Sequence, residues 1–118
     1  MPPTILRQVV DTNDAYLRRF TYEYQKVFAK FTADDCPLCA ELAPCFARFA
    51  HDPANQDILF VRLSAAENPV AQQLLQKRAA PFFVSYCQGR LLECDVLATE
   101  AEVVAQLARL RDFVPTPH

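Results

Sequence analysis

Five cysteines are the residues whose type and spacing point most directly to chemistry in this 118-residue sequence. Two of them form the motif Cys36-Pro37-Leu38-Cys39, and the other three lie elsewhere in the chain. The C-x-x-C spacing alone is shared by zinc sites and redox dithiols. Its position between a predicted buried strand and a predicted helix favours the dithiol, because redox motifs occur at this point of a βαβ unit.

The two cysteines of the motif are expected to differ in role because they face different sides of that helix. A cysteine at a helix N-terminus meets unsatisfied N–H groups and the positive end of the macrodipole, which stabilise a thiolate. Pro37 suits the first turn, where its missing N–H has no intrahelical acceptor. The apolar arc of the helix is formed by Leu38, Leu42, Phe46 and Phe49. At ~100° per residue, Cys39 lies about 65° from the centre of this arc and Cys36 about 125° from it. We therefore expect Cys36 to attack a partner disulfide and the sheltered Cys39 to resolve the mixed disulfide.

A zinc site built from Cys36, Cys39, Cys45 and His51 is disfavoured by helix geometry. Cys39 and His51 would be about 18 Å apart along one helix axis, at ~1.5 Å per residue. Zn–S and Zn–N bonds are only ~2.0 to 2.3 Å long, and a kink at Pro44 would not close the gap. Zinc would therefore require ligands from another chain, and we expect no metal.

The three remaining cysteines are predicted to be packing or near-surface thiols. Cys45 falls near the edge of the apolar arc and is expected to act as a small buried hydrophobe. Cys87 and Cys94 flank a predicted hairpin whose two-residue turn would pair Cys87 with Arg90 and place Cys94 opposite Phe83. The two sulfurs would then share one face but lie about four residues apart, at ~3.3 Å per residue, beyond the ~7 Å Cα limit of a disulfide.

Composition excludes several classes of function. The net charge is −2, with 52% hydrophobic and 22% charged residues, which leaves no broad basic field for nucleic acid or anionic lipid. A single glycine, Gly89, excludes the glycine-rich loops that hold nucleotides. No apolar run approaches the ~20 residues of a membrane span, and Met1 to Arg7 lacks a basic stretch followed by an apolar segment. We therefore expect a cytoplasmic protein without a nucleic-acid or membrane partner. A structural disulfide framework is not expected in that reducing compartment.

The elements that must position the dithiol follow from hydrophobic periodicity and capping signals, in the order βαβαβαββα. The predicted strands are Ile5 to Val10, Val27–Phe31, Ile58–Leu63, Phe82–Cys87 and Arg90–Leu97, and the last two are joined by the turn Gln88-Gly89. The first predicted helix follows Asp11-Thr12-Asn13-Asp14 and runs through about Tyr24, and the second runs from Pro37 to His51. The third runs from Ser64 to about Ala79, and the last from the capping box Thr99–Glu102 to near Phe113. This order predicts one α/β domain over residues 1–114, with a central mixed sheet and helices on both faces, followed by a short flexible tail over 115–118.

Several residues outside the dithiol lie at set distances from it along the chain. They are Phe31 and Ala33 before the motif, Pro44 five residues after Cys39, Asn68-Pro69, Ala80-Pro81 before a Phe-Phe-Val strand, and Gly89. Together with the C-x-x-C motif they resemble the thioredoxin family, from about Gln8 to Leu110. The resemblance implies a thioredoxin-like fold and a cis peptide at Ala80-Pro81 beside the dithiol. It also implies that Ala80 and Pro81 bind the extended substrate peptide, pairing with it through the backbone of Ala80.

The sequence departs from the family pattern around the dithiol. Pro37 follows the first cysteine directly, as in glutaredoxin-like and DsbA-like motifs, and the usual tryptophan is missing. Asp34 and Asp35 place negative charge beside the nucleophile, which disfavours a thiolate unless a carboxylate caps the helix. Lys30 aligns with the buried carboxylate of thioredoxins. It could stabilise a thiolate by its charge, act as a base if neutral, or only pack its stem while its ammonium reaches solvent. Lys30, Asp35 and Pro37 are therefore candidate modulators of the dithiol.

Two functions remain in competition. The first is a cytoplasmic thiol-disulfide oxidoreductase that acts on protein disulfides through Cys36 and Cys39, without a cofactor. Family resemblance implies that a thioredoxin-reductase-like donor supplies its electrons. The alternative is a non-catalytic thioredoxin-like module for protein interaction, assembly or redox sensing, which Asp34, Asp35 and Lys30 favour. A glutaredoxin-type role is disfavoured by the extra first strand and helix and by the absence of a recognisable glutathione-carboxylate motif.

Overall fold

Five strands and three helices are described by the computed structural model, which covers residues 6–33, 36–64 and 81–115. The strands are β1 (Val9–Asp11), β2 (Lys26–Thr32), β3 (Ile58–Ser64), β4 (Phe82–Cys87) and β5 (Arg90–Val96). The helices are α1 (Asp14–Glu23), α2 (Pro37–His51) and α3 (Glu100–Asp112), and a 3₁₀ turn spans Pro53–Asn55. These bounds follow the sequence prediction within a few residues, except that β1 is shorter than expected. Ile5 and the predicted helix beyond Ser64 lie outside the described residues.

The strands form one mixed sheet in the order β1-β3-β2-β4-β5. β3 runs parallel to both β1 and β2, whereas β4 is antiparallel to β2 and β5. β2 therefore lies at the centre, and six of its seven residues are buried. A strand covered on both faces is rich in apolar residues, which explains Val27-Phe28-Ala29 and Phe31 in β2. The predicted mixed sheet is confirmed.

Two hydrophobic cores lie on opposite faces of this sheet. One packs under α2 and α3 and is centred on Phe28, Phe46, Phe60 and Phe83, with Leu107 and Leu110 from α3. The other packs under α1 and contains Leu17, Val27, Phe31, Val61, Phe82 and Val84. Alternate residues of each strand point to opposite faces, so β2 contributes Phe28 to the first core and Val27 to the second. The predicted placement of helices on both faces is confirmed.

The β4–β5 hairpin differs from its predicted register. Cys87 pairs with Arg90 as expected, but an irregularity at Ser85/Tyr86 leaves an extra residue on β5 and brings Cys94 opposite Val84 rather than Phe83. A one-residue slip exchanges the faces of a strand. Cys94 consequently packs on the α1 side of the sheet, whereas Cys87 lies across from Lys26 on the other side. The expectation that both sulfurs share one face is therefore wrong. Neither forms a disulfide.

The turn of this hairpin explains the position of the chain's single glycine. Gln88 and Gly89 both have positive φ, 53° and 79°, the pattern of a two-residue type I′ turn. A Cβ added at Gly89 would lie 3.3 Å from the ring of Tyr22. Gly89 therefore serves the hairpin, as predicted.

None of the helices in residues 6–33, 36–64 and 81–115 combines the length and the apolar character that crossing a membrane requires.

Candidate redox site

The start of α2 holds the C-x-x-C motif. Cys36 is the N-cap residue, with extended backbone at φ −111° and ψ 97°, and Pro37 is the first helical residue. The N–H of Cys39 has no acceptor within the helix, and it donates to Sγ of Cys36 at 3.1 Å. The sulfur of Cys36 therefore occupies the position where a capping oxygen usually sits, and negative charge is stabilised there.

Cys36 and Cys39 are joined by a disulfide, with their Cα atoms 5.3 Å apart. This separation is within the normal range for a disulfide. Cys36 is half-buried, whereas Cys39 has only 7% of its surface exposed. The helix phase that places Cys39 toward the core therefore makes Cys36 the more accessible of the two sulfurs.

Lys30 lies beneath the dithiol on β2, with only 1% of its surface exposed. Its Nζ donates to the backbone carbonyl of Cys39 at 2.8 Å and lies 5.7 Å from the centre of the Phe46 ring. The interpretation in which the ammonium reaches solvent is therefore wrong. Sequence reasoning missed the contact with Phe46, although Phe46 lies on the predicted apolar arc.

Burial lowers the pKa of Lys30 from 10.5 to about 8. Negative charge on Cys45, when that thiol is ionised, opposes this shift, and the positive charge of Arg62 adds to it. Arg62 is the neighbour of Lys30 in the β2–β3 register, and its guanidinium binds both carboxylate oxygens of Asp11, at 2.6 and 2.9 Å. Lys30 is thus an ammonium near neutral pH that loses its proton in mildly alkaline solution.

The other cysteines are not in disulfides. Cys45 and Cys87 are buried, and Sγ of Cys45 donates to the carbonyl of Leu42 at 3.2 Å. Burial raises the pKa of both thiols, which disfavours their reactive thiolate forms. Cys94 is half-buried. Within the described part of the chain, no group of three or more His, Cys, Asp or Glu side chains is arranged to hold a metal ion.

Part of the predicted site lies outside the described residues. Ala80, Asp34 and Asp35 are among these positions, so the substrate-binding role of Ala80 and the modulating role of Asp35 stay predictions. Pro81 is buried and directly precedes β4. The first residue of β4, Phe82, pairs with Phe31 near the end of β2 that leads to the dithiol. Pro37 is exposed at the first turn of α2.

Comparison with known proteins shows which family the chain belongs to. The Thioredoxin family model matches residues 7–109. The chain belongs to the thioredoxin family. A curated member, Thioredoxin H3 from Arabidopsis thaliana, is 33% identical over 85 residues, which cover 71% of this chain and 70% of that protein. Thioredoxin membership and the bonded Cys36–Cys39 pair together identify a thiol-disulfide oxidoreductase.

Solved thioredoxins share the fold at low sequence identity. The short form of thioredoxin f from spinach chloroplast is 18% identical and superimposes with a TM-score of 0.83, covering 94% of this chain and 100% of that one. Thioredoxin f2, solved in complex with ferredoxin:thioredoxin reductase, is 16% identical with a TM-score of 0.78, covering 92% and 100%. The predicted thioredoxin-like fold is thereby confirmed.

Proposed function

We propose that this protein is a cytoplasmic oxidoreductase that reduces disulfides of other proteins, with Cys36 as the attacking thiolate and Cys39 as the resolving thiol. The observation that carries the proposal is the hydrogen bond from the N–H of Cys39 to Sγ of Cys36 at the N-cap of α2. This bond and the helix dipole favour negative charge on the more accessible sulfur. The buried Cys39 is within disulfide distance of Cys36 but sheltered from a partner protein.

The reaction transfers two electrons in two exchange steps. In the reduced protein, the Cys36 thiolate attacks one sulfur of the substrate disulfide, whose S–S bond breaks and whose other sulfur leaves as a thiolate. Cys39 then gives up its proton and attacks Sγ of Cys36, which releases the second substrate thiolate and forms the Cys36–Cys39 disulfide. The two substrate thiolates take up protons according to their pKa values. A dithiol donor reduces the protein again by the same steps in reverse.

The proposed partners are protein disulfides and a thioredoxin-reductase-like electron donor. The likeness to a thioredoxin that was solved with its reductase supports the donor. The substrate-contacting role of Ala80 and Pro81 is proposed on the resemblance to the family, in which the backbone before this proline pairs with the substrate peptide. Three thiols without disulfides suit a reducing compartment, which supports a cytoplasmic location. We propose no cofactor, no nucleic-acid partner and no membrane partner.

The test is reduction of insulin disulfides with dithiothreitol as electron source. We expect the wild-type protein to accelerate the reaction, Cys36→Ser to abolish the acceleration, and Cys94→Ser, a change in a cysteine on β5 away from α2, to retain it. Cys39→Ser should trap a mixed disulfide through Cys36 because the resolving step is lost. A wild-type rate equal to the dithiothreitol background, or full activity in Cys36→Ser, would contradict the proposal and favour a non-catalytic interaction module.

A further inference from the structure

Lys30 places a buried cation beside the dithiol, and we propose that its charge stabilises the thiolate of the reduced Cys36–Cys39 pair and so makes the disulfide easier to reduce. Lys30 touches no substrate in this proposal. It is a positioning residue that acts through Cys39. The inference deepens the proposed function and rests on it, since it concerns the redox equilibrium of the same two sulfurs.

The surroundings of Lys30 leave its charge directed at the start of α2. From α2 it is faced by Cys39, whose carbonyl accepts its hydrogen bond and whose sulfur is bonded to Cys36, and by Cys45. From β3 it is faced by Arg62, which is engaged with Asp11. Its β4 neighbour in the register is the apolar Phe83. Among the described residues, no carboxylate forms an ion pair with Lys30.

The two redox states differ in how well they accommodate this ammonium. Reduction of the disulfide takes two electrons from a dithiol donor, which itself becomes a disulfide. The S–S bond breaks, one of the donor's two protons goes to Cys39 and the other to solvent, and Cys36 is left as the thiolate. In the disulfide state neither sulfur of the dithiol carries a negative charge, and burial lowers the pKa of the Lys30 ammonium to about 8. In the reduced state the thiolate offsets the cost of burying the ammonium, and the ammonium in turn lowers the pKa of the thiol. The charge therefore favours the reduced state and makes the reduction potential less negative.

The experiment measures the potential of the Cys36–Cys39 pair by glutathione titration in wild type and in Lys30→Met. We expect Lys30→Met to shift the equilibrium toward the disulfide by about tenfold, equivalent to about 30 mV more negative. The pH midpoint of ultraviolet thiolate absorbance should rise in the same variant, because the neighbouring positive charge is gone.

Lys26→Met provides a matched control. Lys26 is also on β2, is 8% exposed, and also donates from Nζ to backbone carbonyls, those of Arg111 and Phe113 at 2.8 Å each. It lies four residues from Lys30, about 13 Å along an extended strand. Both variants lose a buried ammonium and its hydrogen bonds, but only Lys30→Met should change the potential and the thiolate midpoint.

Two further variants separate charge from hydrogen bonding. Lys30→Gln keeps a donor without the charge and should behave like Lys30→Met, whereas Lys30→Arg keeps the charge and should stay near wild type. If Lys30→Met does not fold, the reduction potential and thiolate midpoint of Lys30→Gln test the inference in its place. Above about pH 8, the reduction potential of the wild type alone should also fall more steeply with pH, because reduction then adds a proton to Lys30.

A wild-type potential in Lys30→Gln, or shifts in Lys30→Met no larger than those in Lys26→Met, would overturn the inference. The titration uses glutathione and no protein substrate, so its outcome is distinct from that of the insulin assay. A lysine-dependent potential in a protein that does not reduce insulin would defeat the proposed function alone. Insulin reduction with a potential that does not depend on Lys30 would defeat this inference alone.

Discussion

Cys36 and Lys30 are the two residues proposed to carry the chemistry of the site, and they have opposite effects on the stability of the fold. The sulfur of Cys36 accepts a hydrogen bond from a backbone N–H at a helix start, an arrangement that stabilises the fold. Lys30 is a cation taken out of water and satisfied by a carbonyl, an arrangement that costs stability. The site thus combines a favourable cap with an unfavourable buried charge.

The free-energy cost of burying the Lys30 ammonium predicts how the stability of the disulfide form depends on pH. Its pKa is lowered to about 8 in the folded protein, so between about pH 8 and 10.5 the unfolded chain binds more protons and stability rises with pH. Below about pH 8 both states are protonated and the cost is constant. Near neutral pH we expect Lys30→Met to be more stable than wild type by about 2 kcal/mol, after allowance for the lost hydrogen bond.

Denaturant unfolding of both proteins at neutral pH and near pH 9.5 checks this prediction. The advantage of Lys30→Met should shrink above about pH 8, by up to about 1.4 kcal/mol per pH unit. The comparison cancels the contributions of Tyr86 and Cys87, whose pKa values are raised by burial in both proteins. An advantage that is constant with pH would contradict the proposed titration of Lys30.

At the residue scale, the sequence predicted the dithiol from local rules alone. Helix phase gave the relative burial of Cys36 and Cys39 because both belong to one regular element. The orientation of Lys30 could not be derived, since it depends on whether α2 covers that part of β2. Resemblance to the family placed Lys30 beneath the dithiol but left its ammonium free to reach solvent.

At the scale of elements, the two described helices that pack on the dithiol side of the sheet each begin with a specific cap. α2 begins with the sulfur of Cys36, and α3 begins with a full capping box between Thr99 and Glu102. Glu102 accepts hydrogen bonds from the N–H groups of Ala98 and Thr99 and from the Thr99 hydroxyl, which hold the pKa of its carboxyl below the usual value. The sequence pattern T-x-x-E predicted this start because the box needs no tertiary contact.

The capping box of α3 provides a stability prediction. Thr99→Ala removes the hydroxyl that accepts the N–H of Glu102 at 3.2 Å, and we expect a loss of about 1 kcal/mol in the free energy of unfolding. Thr99→Ser keeps the acceptor and should lose little. Denaturant titration compares the three proteins, and equal stability of the alanine and serine variants would show that the cap contributes nothing.

Local rules failed at the β4–β5 hairpin. They identified the strands and the Gln88-Gly89 turn, because positive φ at a glycine is a local requirement. They did not detect the irregularity at Ser85/Tyr86, which moves Cys94 to the other face of the sheet. No residue type marks that position, since neither glycine nor proline occurs at Ser85, Tyr86 or residues 91–93.

At the scale of the molecule, β2 connects the two cores and leads into the redox site. Phe28 contacts the rings of Phe46, Phe60 and Phe83, with centroid distances of 5.9, 5.8 and 5.7 Å. These rings come from α2, β3 and β4, so one side chain joins three elements. Hydrophobic periodicity predicted β2 as a buried strand, but the order of the strands in the sheet comes from the structure, because periodicity does not specify which strands pair.

Truncation of Phe28 should therefore destabilise the whole domain. We expect Phe28→Ala to cost about 3 to 5 kcal/mol, a large part of the ~5 to 15 kcal/mol typical of a folded domain. Phe113→Ala makes the same change at a ring that is 42% exposed and should cost well under that amount. Chemical denaturation measures both, and comparable losses would show that the aromatic cluster is not the centre of the core.

The two buried lysines of β2 tie the central strand to both α2 and α3. Lys30 joins the strand to the first turn of α2, and Lys26 joins it to the end of α3. While a partner protein is attached covalently at Cys36, any pull from that partner enters the first turn of α2. The Lys30 bond carries part of this load into a strand that is hydrogen-bonded along both edges. The first turn of α2 is thereby anchored to the central strand of the sheet, and the second lysine anchors the other end of the same strand to the end of α3.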